Sequence, residues 1–417
     1  MNLFATMFKK ELLLKAVGYL LQCKYPFRLL KVYEKFLARK WPSPDLAQFS
    51  YLTAIKEIRE LYSQEKPVIW ASFFFPSEFI HAASCKAFYP EIAGGLVAAL
   101  GLYSYPFQEV DKNWFSRDLC SYHRLALGMS FLRFFPRPAA LLATTSICQG
   151  TASFFKWLSI IWKVPCYLVD VPLQKNEESV NYVARQLKEI ALSLSRNLGS
   201  TFAWEEVFYI SQKTVELIKR LEAKRKKKEI SFSPPTKNLE YLPYYYQFMG
   251  SEESLSFFEK LLRENEKGAE SPGSCKAGVV WLHLKPYFTN QQLDALLEEL
   301  GFEVLFEEFA DVYKGHYCVR QPFETLARKV LHSLHFMRAD FRIKRTLGWL
   351  KDYGGQGVIH FNQWGCRQSQ GMEFLLRKSL SAAGYPVLFL DGDHLDQNHF
   401  SLEQLRTRLQ AFREMLR

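Results

Sequence analysis

Three cysteines stand where a thiol could take part in chemistry. Cys120 opens a helical pattern, Cys148 follows the apolar run 139–145, and Cys366 follows the apolar run 357–361. A thiolate is a soft, anionic ligand that suits iron and other thiophilic metals, and it is also a nucleophile. None of the three belongs to a CxxC pair. A metal-binding set would therefore have to be assembled from separate parts of the chain.

The elements predicted around these thiols would bring them together. Cys148 and Cys366 each follow a run that predicts a buried strand, and each precedes a predicted helix. Ligands of open α/β sheets bind in the crevice beyond the carboxyl ends of the strands. We therefore expect these two thiols and Cys120 to converge on one crevice between two domains.

The order of predicted elements gives the fold class. Short apolar runs alternate with amphipathic helices in both halves of the chain, as right-handed βαβ crossovers require. The predicted strands are 67–72, 140–145, 165–172, 277–282, 302–306, 357–361 and 386–390. We predict an α/β protein with two flavodoxin-like (Rossmann-like) parallel-sheet domains and an N-terminal helical domain. The predicted boundaries are 1–64 for the helical domain, 65–235 for the first α/β domain and 236–417 for the second.

Composition and charge limit the classes of partner. The chain has 417 residues, 48% of them hydrophobic, and a net charge of +11. Such a charge leaves a basic nucleic-acid or membrane-surface binding module as a remote alternative. The densest basic run, 224–228, is however predicted to be a solvated helix end, and charges interrupt every apolar stretch of the amino terminus. We expect no nucleic acid partner, no signal peptide and no membrane span.

Cysteine usage and missing motifs narrow the activity. Eight scattered cysteines without an export signal indicate reduced thiols in a cytoplasmic protein. No glycine-rich phosphate loop follows a strand, and no serine nucleophile elbow or HExxH pair is present, so neither ATP hydrolysis nor classical hydrolase chemistry is expected. The acidic turn 391–396 is predicted to cap the last helix and to hold Arg406 or Arg408.

Several motifs from Pro67 to the C-terminus keep an order and spacing that occur together in a known family. They are Asp118-Leu119-Cys120-Ser121-Tyr122-His123-Arg124, Gly128, Pro136-Arg137-Pro138, Thr144-Thr145-Ser146-Ile147-Cys148, Val164-Pro165, Val169-Asp170-Val171-Pro172, His360, Gly365-Cys366-Arg367-Gln368 and Leu390-Asp391-Gly392-Asp393. Together they resemble the 2-hydroxyacyl-CoA dehydratase and benzoyl-CoA reductase superfamily, whose members work in anaerobic metabolism.

This resemblance implies an iron-sulfur enzyme. In the family, each subunit holds a cluster through three cysteines, which match Cys120, Cys148 and Cys366 here. Three thiolates from separate loops leave one iron open to substrate or to another ligand. The family also implies a separate ATP-dependent iron-sulfur activator that supplies electrons of very low potential. The lack of a nucleotide loop in this chain suits the acceptor half of that arrangement.

Polar residues beside these motifs could assist the chemistry. They could hydrogen-bond the sulfides of a cluster or donate protons to a substrate. The residues are His123, Arg124, Gln149, His360, Gln363 and Arg367. His360 fits equally well as a histidine whose hydrogen bonds are satisfied at the end of a strand.

Two branches of the family lead to different activities. The segments 365–368 and 391–393 look closer to the branch of homodimeric proteins that reduce a small molecule at an 8Fe-9S double-cubane cluster, and we take this oxidoreductase as the leading interpretation. The alternative is a subunit of an ATP-activated dehydratase, a lyase, or of a benzoyl-CoA reductase, with one 4Fe-4S cluster per subunit. That branch carries Pro-x-Glu followed by an Ala-Ala-Gly-x-x-Pro stretch that lines the acyl-CoA pocket. Here Pro76-Ser77-Glu78 is kept, whereas Ala82-Ala83-Ser84-Cys85 departs from the pattern.

Overall fold

Two four-stranded parallel sheets organise the protein. The computed structural model describes residue 18 and residues 20–232, 234–267, 276–289 and 291–416. The first sheet contains β1 (Val68–Ala71), β2 (Lys86–Phe88), β3 (Ala140–Thr144) and β4 (Cys166–Val169) in the order β2-β1-β3-β4. The second contains β5 (Ala277–Leu282), β6 (Phe302–Glu307), β7 (Gly357–Gln363) and β8 (Val387–Gly392) in the order β6-β5-β7-β8. Every neighbouring pair is parallel, so the two sheets share one topology.

Helices connect the strands and cover the sheets. Those before and within the first sheet region are Lys24–Lys40, Leu46–Ser63, Ser77–Ala82, Pro90–Ala99, Ser104–Lys112, Ser121–Phe131, Gln149–Trp162, Glu177–Leu198 and Trp204–Lys226. Those that follow are Lys237–Glu240, the π-helical turn Pro243–Gln247, Glu252–Lys267, Gln292–Glu299, Pro322–His332, Ala339–Tyr353, Arg367–Gly371, Glu373–Ala382 and Leu402–Met415. Within the described ranges, no helix is both long and apolar enough to cross a lipid bilayer.

The central strands form the core of each half. Every residue of β1, β3, β5 and β7 is buried, as expected for parallel strands covered by helices on both faces. Trp70 of β1 and Trp281 of β5 are fully buried. The Trp70 indole packs against Phe88, Phe135 and Trp162. Shortening such a core aromatic to alanine costs about 3–5 kcal/mol, so these contacts fix the sheets that carry the thiols.

The predicted fold class is confirmed. The structure contains all seven predicted strands within two Rossmann-like parallel sheets, preceded by a helical region. Sequence patterning missed β2, which has only three residues and lies at the sheet edge. The prediction of helix over residues 1–17 lies outside the described residues. The helices 24–40 and 46–63 agree with the predicted helical region, while the three domain boundaries remain predictions.

One basic residue departs from its expected surroundings. The run 224–228 lies at the end of the helix Trp204–Lys226, as predicted, but Arg225 is buried. Its guanidinium donates to the Glu307 carboxylate at 3.2 Å and to the Val304 carbonyl oxygen at 3.0 Å. The expectation of a fully solvated run is therefore wrong for Arg225, because one face of this helix packs against β6.

The acidic turn after β8 is partly as predicted. Arg408 donates to Asp391 at 3.4 Å, whereas Arg406 pairs with Glu299. Ser401, rather than the acidic turn, caps the last helix by accepting from the Gln404 N–H. The prediction that these carboxylates cap the last helix is therefore wrong, since Ser401 stands closer to the first turn.

Candidate functional site

Three cysteines lie where helices begin beside the carboxyl ends of strands. Cys148 follows β3 and Cys366 follows β7, and each is the residue immediately before a helix, as is Cys120. In the first sheet β2 is added on one side of β1 and β3 on the other, so the strand order reverses between β1 and β3. In the second sheet it reverses in the same way between β5 and β7. Such reversal points open the crevices in which α/β proteins bind their ligands.

The structure brings the three thiols close enough to interact. Burial raises the pKa of the Cys120 thiol well above its usual value, and the neighbouring Cys366 and Cys148 thiolates raise it further. Burial also raises the pKa of Cys366. The loops themselves touch, because a Cβ added to Gly365 would lie 3.2 Å from the Cys120 nitrogen. Thiols from both halves of the chain thus lie close together.

The arrangement suits a multi-iron group better than a single ion. Among the described residues, no three His, Cys, Asp or Glu side chains are placed to hold one metal ion. An iron-sulfur cluster is larger than a single metal ion and binds thiolates from separate loops. The three cysteine thiols are therefore the right kind of ligand for such a cluster. The half-buried Cys120 and Cys366 thiols resist ionisation, and a cationic iron would supply the charge that stabilises their thiolates.

Gln363 links the two halves beside the thiols. Its buried amide nitrogen donates to Ser121 Oγ at 2.9 Å and to Asp393 Oδ2 at 3.1 Å. Its Oε1 accepts from the His394 N–H at 2.7 Å. Gln363 therefore serves as a structural connector between the residues around Cys120 and those after β8.

His360 lies inside β7 rather than at its end. The ring is fully buried, Nε2 lies 3.5 Å from Ser369 Oγ, and Nδ1 has no hydrogen-bond partner among the described residues. Burial lowers the pKa of His360 well below its ordinary value, so the ring is neutral near pH 7. The interpretation of His360 as a strand-end histidine with both ring nitrogens hydrogen-bonded is therefore wrong.

The four other predicted polar residues occupy two kinds of environment. His123 is buried and stacks on Phe154 at 4.5 Å, and burial lowers its pKa to about 4. A Cβ added to Gly150 would lie 3.4 Å from Cys148 Sγ and 3.5 Å from His123 Cε1, which puts this imidazole beside the Cys148 thiol.

Gln149 and Arg367 are exposed, at the first positions of the helices that follow Cys148 and Cys366. Arg124 is buried instead. Its guanidinium donates to Asp111 at 2.8 Å and lies over the Phe107 ring. These contacts hold the Arg124 side chain against the helix 104–112. The Gln149 and Arg367 side chains, by contrast, can reach solvent or a bound molecule.

Two further histidines belong to the site but were not identified from the sequence. His283 directly follows β5, and its Nε2 lies 3.9 Å from Cys366 Sγ. His394 stacks on His283 at 4.8 Å, its Nδ1 lies 3.3 Å from Tyr122 Oη, and its Nε2 is unpartnered within the described ranges. The position of His283 after a buried strand, like that of Cys148, was the available signal.

An aromatic cavity lies between the two sheets next to these histidines. Phe73 packs on Tyr246 at 4.4 Å and on Phe309 at 5.5 Å, and Phe309 meets the His283 ring at 5.6 Å. Phe73 and Tyr246 line this cavity together with Phe74 and Phe336, and its polar members include Asp311, Lys329, His332 and Ser333. Phe309 connects these rings to the imidazole that faces Cys366.

Glu91 is a third functional candidate that sequence reasoning missed. Burial raises the pKa of its carboxyl group to about 8, although the backbone N–H groups of Phe73 and of Glu91 itself donate to it. Its Oε2 has no partner in the described part of the chain. A glutamate at the start of a helix is usually a solvated cap, which is why no local pattern indicated this burial.

The Pro76-Ser77-Glu78 segment anchors the chamber wall. The Glu78 carboxylate is fully buried, and its Oε1 accepts from Tyr317 Oη at 2.7 Å and Lys329 Nζ at 2.6 Å. Ser84, farther along, has φ +56, the left-handed conformation that glycine adopts most easily. Serine therefore stands at position 84 in a backbone conformation that glycine would adopt more easily.

Comparison with known families agrees with this architecture. Residues 72–416 match the model of a family described as 2-hydroxyglutaryl-CoA dehydratase, D-component. The chain belongs to this family. The match starts at the end of β1 and includes all three thiols, both histidines and Glu91, so the resemblance inferred from the motifs is confirmed.

Individual relatives span most of the chain. It is 25% identical over 382 residues to the (R)-phenyllactyl-CoA dehydratase alpha subunit of Clostridium sporogenes, covering 86% of this chain and 91% of that protein. It is 22% identical over 408 residues to the alpha subunit of lactoyl-CoA dehydratase from Anaerotignum propionicum, covering 87% and 94%. A benzoyl-CoA reductase subunit from Thauera aromatica is 20% identical over 343 residues, covering 74% and 79%. The expectation of an enzyme component is confirmed, and dehydratases are prominent among the relatives.

Proposed function

We propose that the chain is the iron-sulfur subunit of an ATP-activated 2-hydroxyacyl-CoA dehydratase, a lyase, with a 4Fe-4S cluster on Cys120, Cys148 and Cys366. One observation carries the proposal. Three thiols from the two halves of the chain lie close together, next to the points where both strand orders reverse. The dehydratase names of two relatives favour this alternative over the double-cubane interpretation that the motifs at 365–368 and 391–393 suggested.

The residues around the thiols have separate tasks in this proposal. A bound cluster would supply single electrons of low potential and one iron open to the substrate. Gln363 keeps the Cys120 and Cys366 loops in register through its bond to Ser121. Glu91, whose pKa lies near 8, can hold or release a proton near neutral pH beside the aromatic chamber.

The aromatic rings of the chamber suit contact with an apolar acyl group. Aromatic rings from both halves line it and lead toward His283. Ser84 adopts the left-handed conformation that a glycine at this position would adopt most easily, which supports a turn like that of the Ala-Ala-Gly stretch. CoA-ester binding is therefore part of the proposal, although Ala82-Ala83-Ser84-Cys85 departs from the family's stretch. His123, His360, Gln149 and Arg367 remain proposed contacts of substrate or cluster.

Two protein partners complete the proposal. A separate ATP-dependent iron-sulfur activator would deliver electrons, and a second copy or a related subunit would adjoin the thiol crevice. Leu119 precedes Cys120, Trp364 closely precedes Cys366, and these side chains are 40% and 47% exposed. Apolar side chains exposed beside a redox site suit contact with another subunit. A reduced cytoplasm is the proposed location, since thiol ligands require reduced cysteines.

Iron and acid-labile sulfide, measured per chain after anaerobic purification, test the cluster. We expect about four irons and about four sulfides per chain, and loss of most of the iron when Cys120, Cys148 or Cys366 is changed to serine. Cys85→Ser and Cys166→Ser are matched controls, because these cysteines lie in the first sheet region away from the crevice loops. They should keep the full iron content.

The same measurement separates the alternatives. A sulfide to iron ratio above one in a homodimer would support the 8Fe-9S double cubane, and lack of iron after reconstitution would reject both clusters. With iron bound, addition of activator, ATP and an aromatic or aliphatic 2-hydroxyacyl-CoA should yield the enoyl-CoA and water. If such esters are inert but a small molecule or an aromatic thioester is reduced, the reductase interpretations replace the dehydratase.

A further inference from the structure

His283 has an unusual backbone for a bulky residue. Its φ is +70, directly after the last residue of β5. A side chain in the left-handed region costs on the order of 1 kcal/mol, and surrounding contacts must hold it there. This conformation turns the imidazole of His283 away from the line of the strand and toward Cys366.

Bonds on two sides hold this imidazole in place. The backbone N–H of His283 donates to Glu308 Oε2 at 2.9 Å. Glu308 is itself fixed by Arg342, whose Nε and Nη2 donate to its two oxygens at 2.7 and 2.6 Å. On the ring, Nδ1 accepts from the Leu284 N–H at 2.9 Å. The buried ion pair therefore supports the backbone, and the next peptide group orients the ring.

These contacts determine which ring nitrogen carries the proton. Because Nδ1 accepts a hydrogen bond, the neutral imidazole bears its hydrogen on Nε2, the nitrogen 3.9 Å from Cys366 Sγ. An N–H donor at this distance from sulfur forms a long hydrogen bond. His360 and His394 flank the same ring, but the contact with Cys366 is made by His283.

We propose that His283 is a positioning residue for Cys366, which it orients by donating Nε2–H to the thiolate sulfur. The inference rests on the proposed function where it concerns the cluster. A hydrogen bond to a ligating thiolate withdraws negative charge from the sulfur, and the extra electron of the reduced cluster is then held more favourably. His283 thus raises the reduction potential of an iron-sulfur group bound through Cys366.

Reduction potentials of three reconstituted proteins test this role. His283→Phe keeps a ring of similar size without a donor, whereas His283→Gln keeps an N–H at a comparable reach. We expect equal iron content in both variants and the wild type, a more negative midpoint potential for His283→Phe, and a smaller shift for His283→Gln. His316→Gln, which changes an exposed histidine, should keep the wild-type potential. Equal potentials in wild type and His283→Phe at equal iron content would overturn the proposal.

A second measurement does not depend on iron. Nitrogen-15 spectra of the iron-free protein distinguish the two imidazole tautomers, and the His283 signals can be assigned with His283→Gln. We expect Nε2–H for His283 and a shift of its Nε2 resonance in Cys366→Ala. A protonated Nδ1 with bare Nε2, or no shift in Cys366→Ala, would overturn the hydrogen bond. Failure of the wild-type protein to bind iron would instead reject the proposed function, while these spectra still decide the contact.

Discussion

Gln363 Nε2 donates to Ser121 Oγ over 2.9 Å, which joins the last residue of β7 to the first residue of the helix after Cys120. The same amide contacts Asp393 and the backbone N–H of His394. A single buried side chain thereby fixes how the Cys120 loop faces the loop that carries Cys366. Because buried amides cannot exchange these partners for water, loss of Gln363 should loosen both loops.

Gln363→Leu should lower both stability and iron retention. It removes the bonds from the Gln363 amide to Ser121 Oγ and Asp393 Oδ2 and leaves the buried His394 N–H without its acceptor, at a cost of about 1–3 kcal/mol in the free energy of unfolding. Urea unfolding and iron content during dialysis against a chelator measure the two effects. Gln404→Leu, on the exposed face of the last helix, is the control. In a double-mutant cycle with Ser121→Ala the losses should be less than additive, and strict additivity would contradict the link.

Arg342→Met should be strongly destabilising. The fork between Arg342 and Glu308 is almost fully buried, so the change leaves an unpaired carboxylate in the interior, at a cost of about 3–5 kcal/mol. Thermal and urea unfolding measure this loss. Arg406→Met breaks an exposed pair with Glu299 and should leave the unfolding midpoint nearly unchanged. If the two substitutions lowered the free energy of unfolding by similar amounts, burial of the ion pair would not be what determines the loss.

Glu91→Gln should alter the pH dependence of stability. The pKa of Glu91 is about 8 in the fold and 4.5 in its ordinary state. Below pH 4.5 the group is protonated in both states. Between pH 4.5 and 8 the unfolded chain loses this proton while the fold keeps it, so the free energy of unfolding falls by about 1.4 kcal/mol per pH unit.

The glutamine variant lacks this penalty. Its urea midpoint relative to wild type should therefore rise as the pH is raised from 5 to 7, by an amount equivalent to about 2–3 kcal/mol. Taking the difference between the two urea midpoints at each pH removes the contribution of the other titrating groups, which both proteins share. A constant difference over this range would mean that Glu91 ionises in the fold as it does in water.

Ser84→Gly should stabilise the protein. Ser84 is exposed and has φ +56, so glycine relieves its left-handed strain, although glycine also gains freedom in the unfolded chain. The net gain is expected to be about 0.5–1 kcal/mol in urea unfolding. Ser84→Val should have the opposite effect, because β-branched residues tolerate this conformation poorly. Equal stability of the two variants would contradict the assigned turn.

The sequence predicted the strands that carry the site better than the side-chain contacts within it. Runs such as 277–282 and 357–361 are short, apolar and rich in β-branched residues, so burial on both faces could be inferred locally. The placement of Cys148 and Cys366 after such runs followed directly. Local pattern was insufficient for β2, whose three residues pair only because β1 lies beside them.

The chemistry inside the crevice depends on contacts that no local pattern encodes. The His283 backbone is held by the Glu308 carboxylate and its ring faces Cys366, and both partners are distant in sequence. Glu91 owes its raised pKa to burial at the start of a helix, where a solvated carboxylate is the usual case. Arg225 is likewise buried within a run of cations because its helix face meets β6. In each case tertiary packing overrides the local preference.

The division of the thiols between two sheets also has a consequence for biogenesis. Cys120 and Cys148 belong to the part of the chain that is synthesised first, whereas Cys366 follows β7 of the second sheet. Any group that needs all three sulfurs can enter only after both halves have folded and met. Loading of the proposed cluster would then act as quality control, since a nascent chain or one with undocked halves offers fewer than three thiols to hold it.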